Sequence, residues 1–291
     1  MNSKTIKRIY AAPAKHWVGD GFHVAGMFHY GETFKNIDPF LLMDYASPEY
    51  FQPNPNANAP HGVGEHPHRG FETVTIAYQG QVAHKDASGG EGVIATGDVQ
   101  WMTAGSGVMH EEFHAPEFSK TGGIFEMVQL WVNLPAKNKM TTPRYQAIVN
   151  KDIPVVAFDG GQVRVIAGEF DKTTGAASTF SPINLWDVAL NAGSEHEFST
   201  PDTHNLLILV RNGQITINGN TAKDGELITF EKGGSQFRIH ATTNSELLVL
   251  SGEPLNEPIA GHGPFVMNTR EEIMQAFMDL QHGNFVRIAR D

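Results

Sequence analysis

Two short segments carry side chains able to hold a cation together. The first is GEHPHRGFETVTIAYQG at 64–80. In a β-strand, side chains two apart point to one face, so His66 and His68 project together while Pro67 points away. Pro67 also biases His66 toward extended backbone. The second, GSGVMHEEFHA at 105–115, repeats the device: His110 and Glu112 share one face, Glu111 and Phe113 the other. Gly105 and Gly107 permit the tight turn that aims this strand. Three imidazoles and one carboxylate suit a divalent ion and leave coordination positions open to water, dioxygen or a chelating substrate. A structural zinc site would instead be closed and tetrahedral.

A plainer reading stands beside this one, because an isolated HxH pair is common by chance and is usually just solvated. His61, His84 and His114 lie in the same region and are rivals. On a continuing strand His114 shares the face of Glu112, and it is the substitute ligand if Glu112 is not one. His61, in a Pro- and Gly-rich run, reads as a rim residue. Ligand histidines must be neutral, so bound metal is expected to leave as pH falls through about 6.

The elements that must position these groups are short strands punctuated by Gly, Asn and Asp, which predicts an all-β chain. An internal repeat is visible. VTIAYQGQV at 74–82 matches LILVRNGQI at 207–215, and GDVQWMTAG at 97–105 matches GELITFEKG at 225–233. The polar stretch 135–154, with Pro at each end, reads as the connection, giving a metal-binding domain at 1–135 and a metal-free one at 136–291. Counting back from Gly213 by the spacing of His66 and His68 from Gly80 reaches Ser199 and Pro201. His196, His204 and His240 form no pair two apart. One helix is predicted near the C-terminus. Thr269 and Glu272 form its capping box, Ile273, Ala276, Phe277 and Leu280 its apolar face, and Gly283 its end.

Composition narrows the chemistry further. With 32 acidic residues against 21 basic and a net charge of -11, the chain has no Lys/Arg cluster to attract a phosphate backbone, so direct nucleic-acid binding is not expected. A protein partner remains compatible with this charge. Cys 0 removes disulfides and thiolate ligands, leaving iron, nickel, cobalt, manganese, copper or zinc on imidazole and carboxylate. No apolar stretch approaches the length that crosses a bilayer, and no apolar run follows the positive residues of MNSKTIKRIYAAPAKHW; a cytoplasmic protein is expected.

HPHRGFETV (66–74), GDVQWMTAGSGVMHEE (97–112), LWVNLP (130–135) and GHGPFVMNTREEI (261–273) resemble the signatures of the pirin family across most of the chain. The resemblance implies a bicupin: two antiparallel β-barrels, with the C-terminal helix packing back on the first half. It implies His66, His68, His110 and Glu112 as metal ligands, with iron favoured. It also implies that Glu72, at the acidic position of the general cupin motif, is not a ligand. Gly105 departs from that motif, which usually has Pro there.

Two functions follow from the resemblance. One is quercetin 2,3-dioxygenase activity on a flavonol and O₂, with Glu112 doubling as proton acceptor. Phe40, Met43, Trp101 and Phe113 are then candidate substrate linings, although core packing is the commoner duty of such residues. The other is a metal- or redox-responsive regulator acting through a protein partner. The open coordination sphere favours the first.

Overall fold

Apolar runs broken by left-handed glycines form antiparallel strands throughout the chain. The computed structural model describes residues 2–31, 34, 36–56, 59–86 and 91–285. The fold is all-β, with two cupin units. One comprises Ala14–Phe28, Phe40–Asn150 and Asn256–Asp291; the other comprises Met1–Pro13, His29–Pro39 and Lys151–Leu255. The chain crosses between them after Pro13, Phe28, Pro39, Asn150 and Leu255, so each unit is assembled from separate stretches of sequence rather than from one half of the chain.

In the histidine-bearing unit a seven-stranded sheet runs in the order Arg144–Ile148, Val99–Thr103, Phe71–Gln79, Gly123–Asn133, Phe40–Phe51, Phe22–His29, His16–Val18. A four-stranded sheet runs Gly62–His68, Val108–His114, Val82–Asp86, Glu91–Ile94. The other unit repeats both orders strand for strand. Its large sheet is Ile6–Tyr10, Leu227–Phe230, Asn205–Asn212, Ser245–Gly252, Ile183–Leu190, Gly161–Ala167, Val155–Phe158. Its small one is Glu195–Ser199, Gln236–Ala241, Gln214–Ile217, Asn220–Lys223. The repeat read from the sequence falls on equivalent strands. Its matched turns are alike too, with φ of 78° at Gly80 and 88° at Gly213.

Ladder register shows what replaces the histidine pair in the second copy. Glu112 pairs with His84, four residues past Gly80, and Ile239 pairs with Ile217, four past Gly213. Ile239 therefore stands where Glu112 does, and Phe237 where His110 does. Phe237 pairs with Phe198 as His110 pairs with His66. The sequence count reached Ser199 because this copy is one residue longer between strand and turn. The buried Thr200 stands where His68 does. The other three positions are apolar, with Phe198, Phe237 and Ile239 buried among Trp186, Val249 and Phe230. Burying each such side chain stabilises the fold by about 1.5–3 kcal/mol.

The predicted helix is Arg270–Gln281. Thr269 Oγ1 accepts from Glu272 N at 3.2 Å, and Glu272 Oε2 accepts from Thr269 N at 2.9 Å. Ile273 and Ala276 face a cluster with Phe265, Met267 and Phe285, against which Met109, Phe277 and Leu280 also pack. The helix thus braces the residue before His110. A short helix, Pro116–Thr121, was not visible in the sequence; Pro116 opens it, but no side chain caps it.

Candidate metal centre

Strand Val108–His114 alternates between buried and half-buried side chains, so His110, Glu112 and His114 face inward while Met109, Glu111 and Phe113 do not. The neighbouring strand brings His66 directly opposite His110 and His68 opposite Val108. The register slips between His110 and Glu112, a bulge of the kind that re-aims side chains near functional sites. Gly105, at φ 50°, makes the preceding turn, and a Cβ there would strike the Thr141 carbonyl.

His66, His68 and His110 each offer a ring nitrogen, all within 4.8 Å of one another. Their ring centroids are 4.4–5.0 Å apart. Packing three imidazoles this closely is tolerable only if they are neutral. Burial pushes His68 down to about 3, with the neighbouring His66 adding to the effect. Burial also holds His110 well below the ordinary imidazole value, assisted by His68 and His66. His66 Nδ1 lies 2.8 Å from the Gly64 carbonyl, which accepts only from an N–H and so leaves the lone pair on Nε2.

Two features make the cluster fit a cation. His68 Nδ1 and both ring nitrogens of His110 are buried with no hydrogen-bond partner among the described residues. A buried polar atom without a partner costs about 1–3 kcal/mol unless something bound there satisfies it. Lone pairs on neutral imidazoles are also the donors that a divalent ion takes.

Glu112 stands beside this trio rather than within its tightest grouping. Gln129 Nε2 donates to its Oε2 at 3.3 Å. Thr75 Oγ1 lies 3.3 Å from its Oε1 and 2.6 Å from Gln129 Oε1. Burial raises its pKa, and His66 opposes that rise.

The rivals fall outside the tightest grouping, although His84 is the cross-strand neighbour of Glu112. His61 is exposed and pairs with Asp20 Oδ2 at 2.8 Å. His114 Nε2–H donates to the Gly21 carbonyl at 2.8 Å, and the ring packs among Phe22, Phe51, Phe118 and Phe125. Burial lowers it to about 4. His84 stacks on Tyr145 at 5.2 Å. Glu72 accepts from Thr103 Oγ1 at 2.7 Å, on the sheet face opposite Thr75, and burial pushes its carboxyl up to about 7.

A cavity of about 240 Å³ opens beside the trio, lined by His66, His68, Glu112, Gln129, Asp44 and Trp131, with Phe22, Val24, Val63 and Met127 as apolar wall. None of Phe40, Met43, Trp101 or Phe113 lines it. Trp101 pairs with Val74 and Met43 with Leu130, so strand alternation puts both on the face away from Thr75 and Gln129. Phe40 is buried, and Phe113 shares the face of Glu111. The aromatic lining is instead Trp131, 5.3 Å from His68, and Phe22. Asp44 and Gln129 were missed, although each is a polar residue inside an apolar run, LLMDYA and EMVQLWVN, which is a readable sign.

Comparison with known proteins agrees with this architecture. The Pirin model matches residues 21–132, and the model for the pirin C-terminal cupin domain matches 185–286. A Pseudomonas aeruginosa protein named "Putative quercetin 2,3-dioxygenase" is 48% identical over 98% of this chain and 99% of its own length. A pirin-like protein of Caulobacter vibrioides is 41% identical over 86% of this chain and 88% of its own. A crystal structure of quercetin 2,3-dioxygenase from Acinetobacter baumannii superposes with TM-score 0.94 at 52% identity, covering 99% of this chain and 100% of that one. Sequence signatures, paired cupin sheets and relatives along nearly the whole length agree: this chain belongs to the pirin family.

Proposed function

We propose that the chain is a flavonol dioxygenase of the quercetin 2,3-dioxygenase type, working at one divalent ion held by His66, His68, His110 and Glu112. The observation that carries this reading is the convergence of three imidazole nitrogens beside a cavity that also has a carboxylate and an apolar wall. The names borne by the Pseudomonas and Acinetobacter relatives support it. Iron(II) is the favoured ion for a thiolate-free nitrogen and oxygen set, with nickel, manganese, cobalt, copper and zinc as alternatives. A bound ion supplies Lewis acidity toward a chelating flavonol and electronic contact with dioxygen.

The chain's own residues do the rest. Trp131 and Phe22 clamp the flat ring system. The cavity volume of about 240 Å³ is below the roughly 300–1,000 Å³ of drug-sized sites, so the chelating rings enter and the remaining ring stays at the mouth. Glu112 takes the proton of the flavonol 3-hydroxyl on a carboxylate oxygen, within reach of the Thr75 hydroxyl and the Gln129 amide. The apolar wall excludes bulk water from the deprotonated ligand.

The test is oxygen uptake with quercetin, using protein loaded separately with each of the six ions. Uptake with at least one ion, abolished in His110→Ala, is the expected result. No uptake with any of them overturns the proposal.

A further inference from the structure

The unit without the histidine trio has a much larger cavity, of about 800 Å³. That volume lies inside the range of small-molecule sites, roughly 300–1,000 Å³. All of its lining residues belong to that unit. Its interior differs chemically from the metal cavity in a way the repeat makes legible. Asp44 pairs with Gln129, which pairs with Thr75, five residues before Gly80; Trp186 pairs with Val249, which pairs with Ile208, five before Gly213. Trp186 thus occupies the place of Asp44, and Val249 and Ile208, packed in the core beside it, those of Gln129 and Thr75. His196, His204, Glu169, Asp171 and Glu197 line it as well, but among the described residues they form no group close enough to hold an ion.

The walls are a connected set of rings. Phe158 stacks on His196 with centroids 3.8 Å apart and planes 25° from parallel. Phe170 meets Trp186 edge-on at 5.2 Å and lies 6.4 Å from both Phe158 and His196. Such walls take a flat, conjugated molecule, because ring faces and edges give it contact at little conformational cost.

Polar groups then specify the occupant. Trp186 is 1% exposed, and its Nε1–H has no acceptor among the described residues. A buried indole N–H ordinarily finds a partner, and this one belongs to a cavity-lining residue. His204, also in the lining, has Nδ1 2.8 Å from Ser251 Oγ, which leaves Nε2 for another contact. The charged lining residues are Glu169, Asp171 and Glu197, with no Lys or Arg among the described ones. Glu197 is engaged by Arg238 at 3.0 Å. A carboxylate or phosphate ligand would meet repulsion with no compensating cation.

From this we infer that the second cupin is a metal-independent binding site for an uncharged planar aromatic compound carrying a carbonyl oxygen, which accepts from Trp186 Nε1–H while its rings lie against Phe158 and Phe170. This holds whether or not the metal centre turns over flavonols.

The probe is flavone, which has the ring system and carbonyl but no 3-hydroxyl with which to chelate a metal. The chain has only four tryptophans, Trp17, Trp101, Trp131 and Trp186, so its indole N–H signals in nitrogen–proton NMR are few and can be assigned by single Trp→Phe variants. Trp131 reports on the metal cavity and Trp186 on this one. With the metal-loaded full chain, flavone is expected to move the Trp186 signal downfield, saturably. The same titration in Phe158→Ala, with Trp186 intact, should need at least tenfold more flavone, while His66→Ala leaves it unchanged. The proposal is overturned if the Trp186 signal stays still while flavone is titrated to its solubility limit. It is equally overturned if only Trp131 responds, if Phe158→Ala binds as tightly as the parent, or if tetramethylammonium moves Trp186 as flavone does. That last result would identify a cation cage.

Discussion

Arg69 follows His68 directly in the chain and pairs with Asp279 on the C-terminal helix, Nη1 to Oδ2, at 2.8 Å across 210 residues of sequence. The guanidinium is nearly buried. Its Nε donates to the Ser106 carbonyl at 2.7 Å, and its plane lies 4.5 Å from the Phe285 ring centroid. One side chain therefore ties both histidine strands to the helix behind them. Asp279→Asn leaves the buried cation without its counter-ion, at an expected cost of about 1–3 kcal/mol. Urea unfolding measures that loss, and hydrogen exchange should accelerate across 270–281. An unchanged midpoint would mean that the pair is ornamental to stability.

Protonation of the trio sets when metal leaves. From composition alone, release is expected near pH 6. With His68 held at about 3 and His110 well below the ordinary value, protons compete late, so bound metal should persist clearly below pH 6. Equilibrium dialysis against buffers from pH 7 to 3 checks this. A release midpoint near 6.5 would show that burial does not protect these rings.

The same shifts act on the metal-free fold. His68 is depressed from 6.5 to about 3, so its contribution to stability is complete above pH 6.5. It is lost as pH falls toward 3, where only the unfolded chain has taken up the proton. Metal-free protein should accordingly lose melting temperature steadily through that window, and a flat profile between pH 6.5 and 4 would contradict it.

Glu72 behaves with the opposite sign. Its folded pKa is raised to about 7 from 4.5, so its contribution is complete below pH 4.5 and lost as pH rises through 7. Glu72→Gln keeps an acceptor for Thr103 and removes the charge. The variant should match the parent at pH 5 and exceed it at pH 9 by up to about 3 kcal/mol. Thermal unfolding at the two pH values decides the matter.

Trp131 forms the aromatic wall of the metal cavity, edge-on to His68 and 4.3 Å from Phe71. Trp131→Ala should raise KM for a flavonol at least tenfold, with a smaller change in kcat, because it removes contact made equally in ground and transition states. A collapse of kcat alone would assign it a different role.

Much of this was legible because strands write their faces into alternate positions. HPH and HEE announced His66, His68, His110 and Glu112 on inward faces, and Thr269 with Glu272 announced the helix. Alternation also misled where it could not be anchored. Trp101 and Met43 are aromatic or soft residues in the right strands, yet they lie one step out of phase with Thr75 and Gln129, and nothing local records the phase. Asp44 was readable as a polar residue within LLMDYA, but Trp131 joined the site only once pairing set Asp44 opposite Gln129 and fixed the phase. The partners that lower the pKa of His68 lie at its own site, but the burial that dominates the shift comes from the assembled sheet and leaves no local mark in the sequence.

The edge strands carry a consequence for biosynthesis. Ile6–Tyr10 pairs with Leu227–Phe230, and the histidine-bearing unit is completed by Asn256–Asp291. A ribosome thus releases the first strand more than two hundred residues before its neighbour exists, and the brace behind His110 emerges only after the whole of the other unit. Both sheets around His110 are complete by Ile148, so in a nascent chain stalled at Asn150 the strands between Gly62 and Ile148 should resist proteases while Ile6–Tyr10, still without its neighbour, is cut.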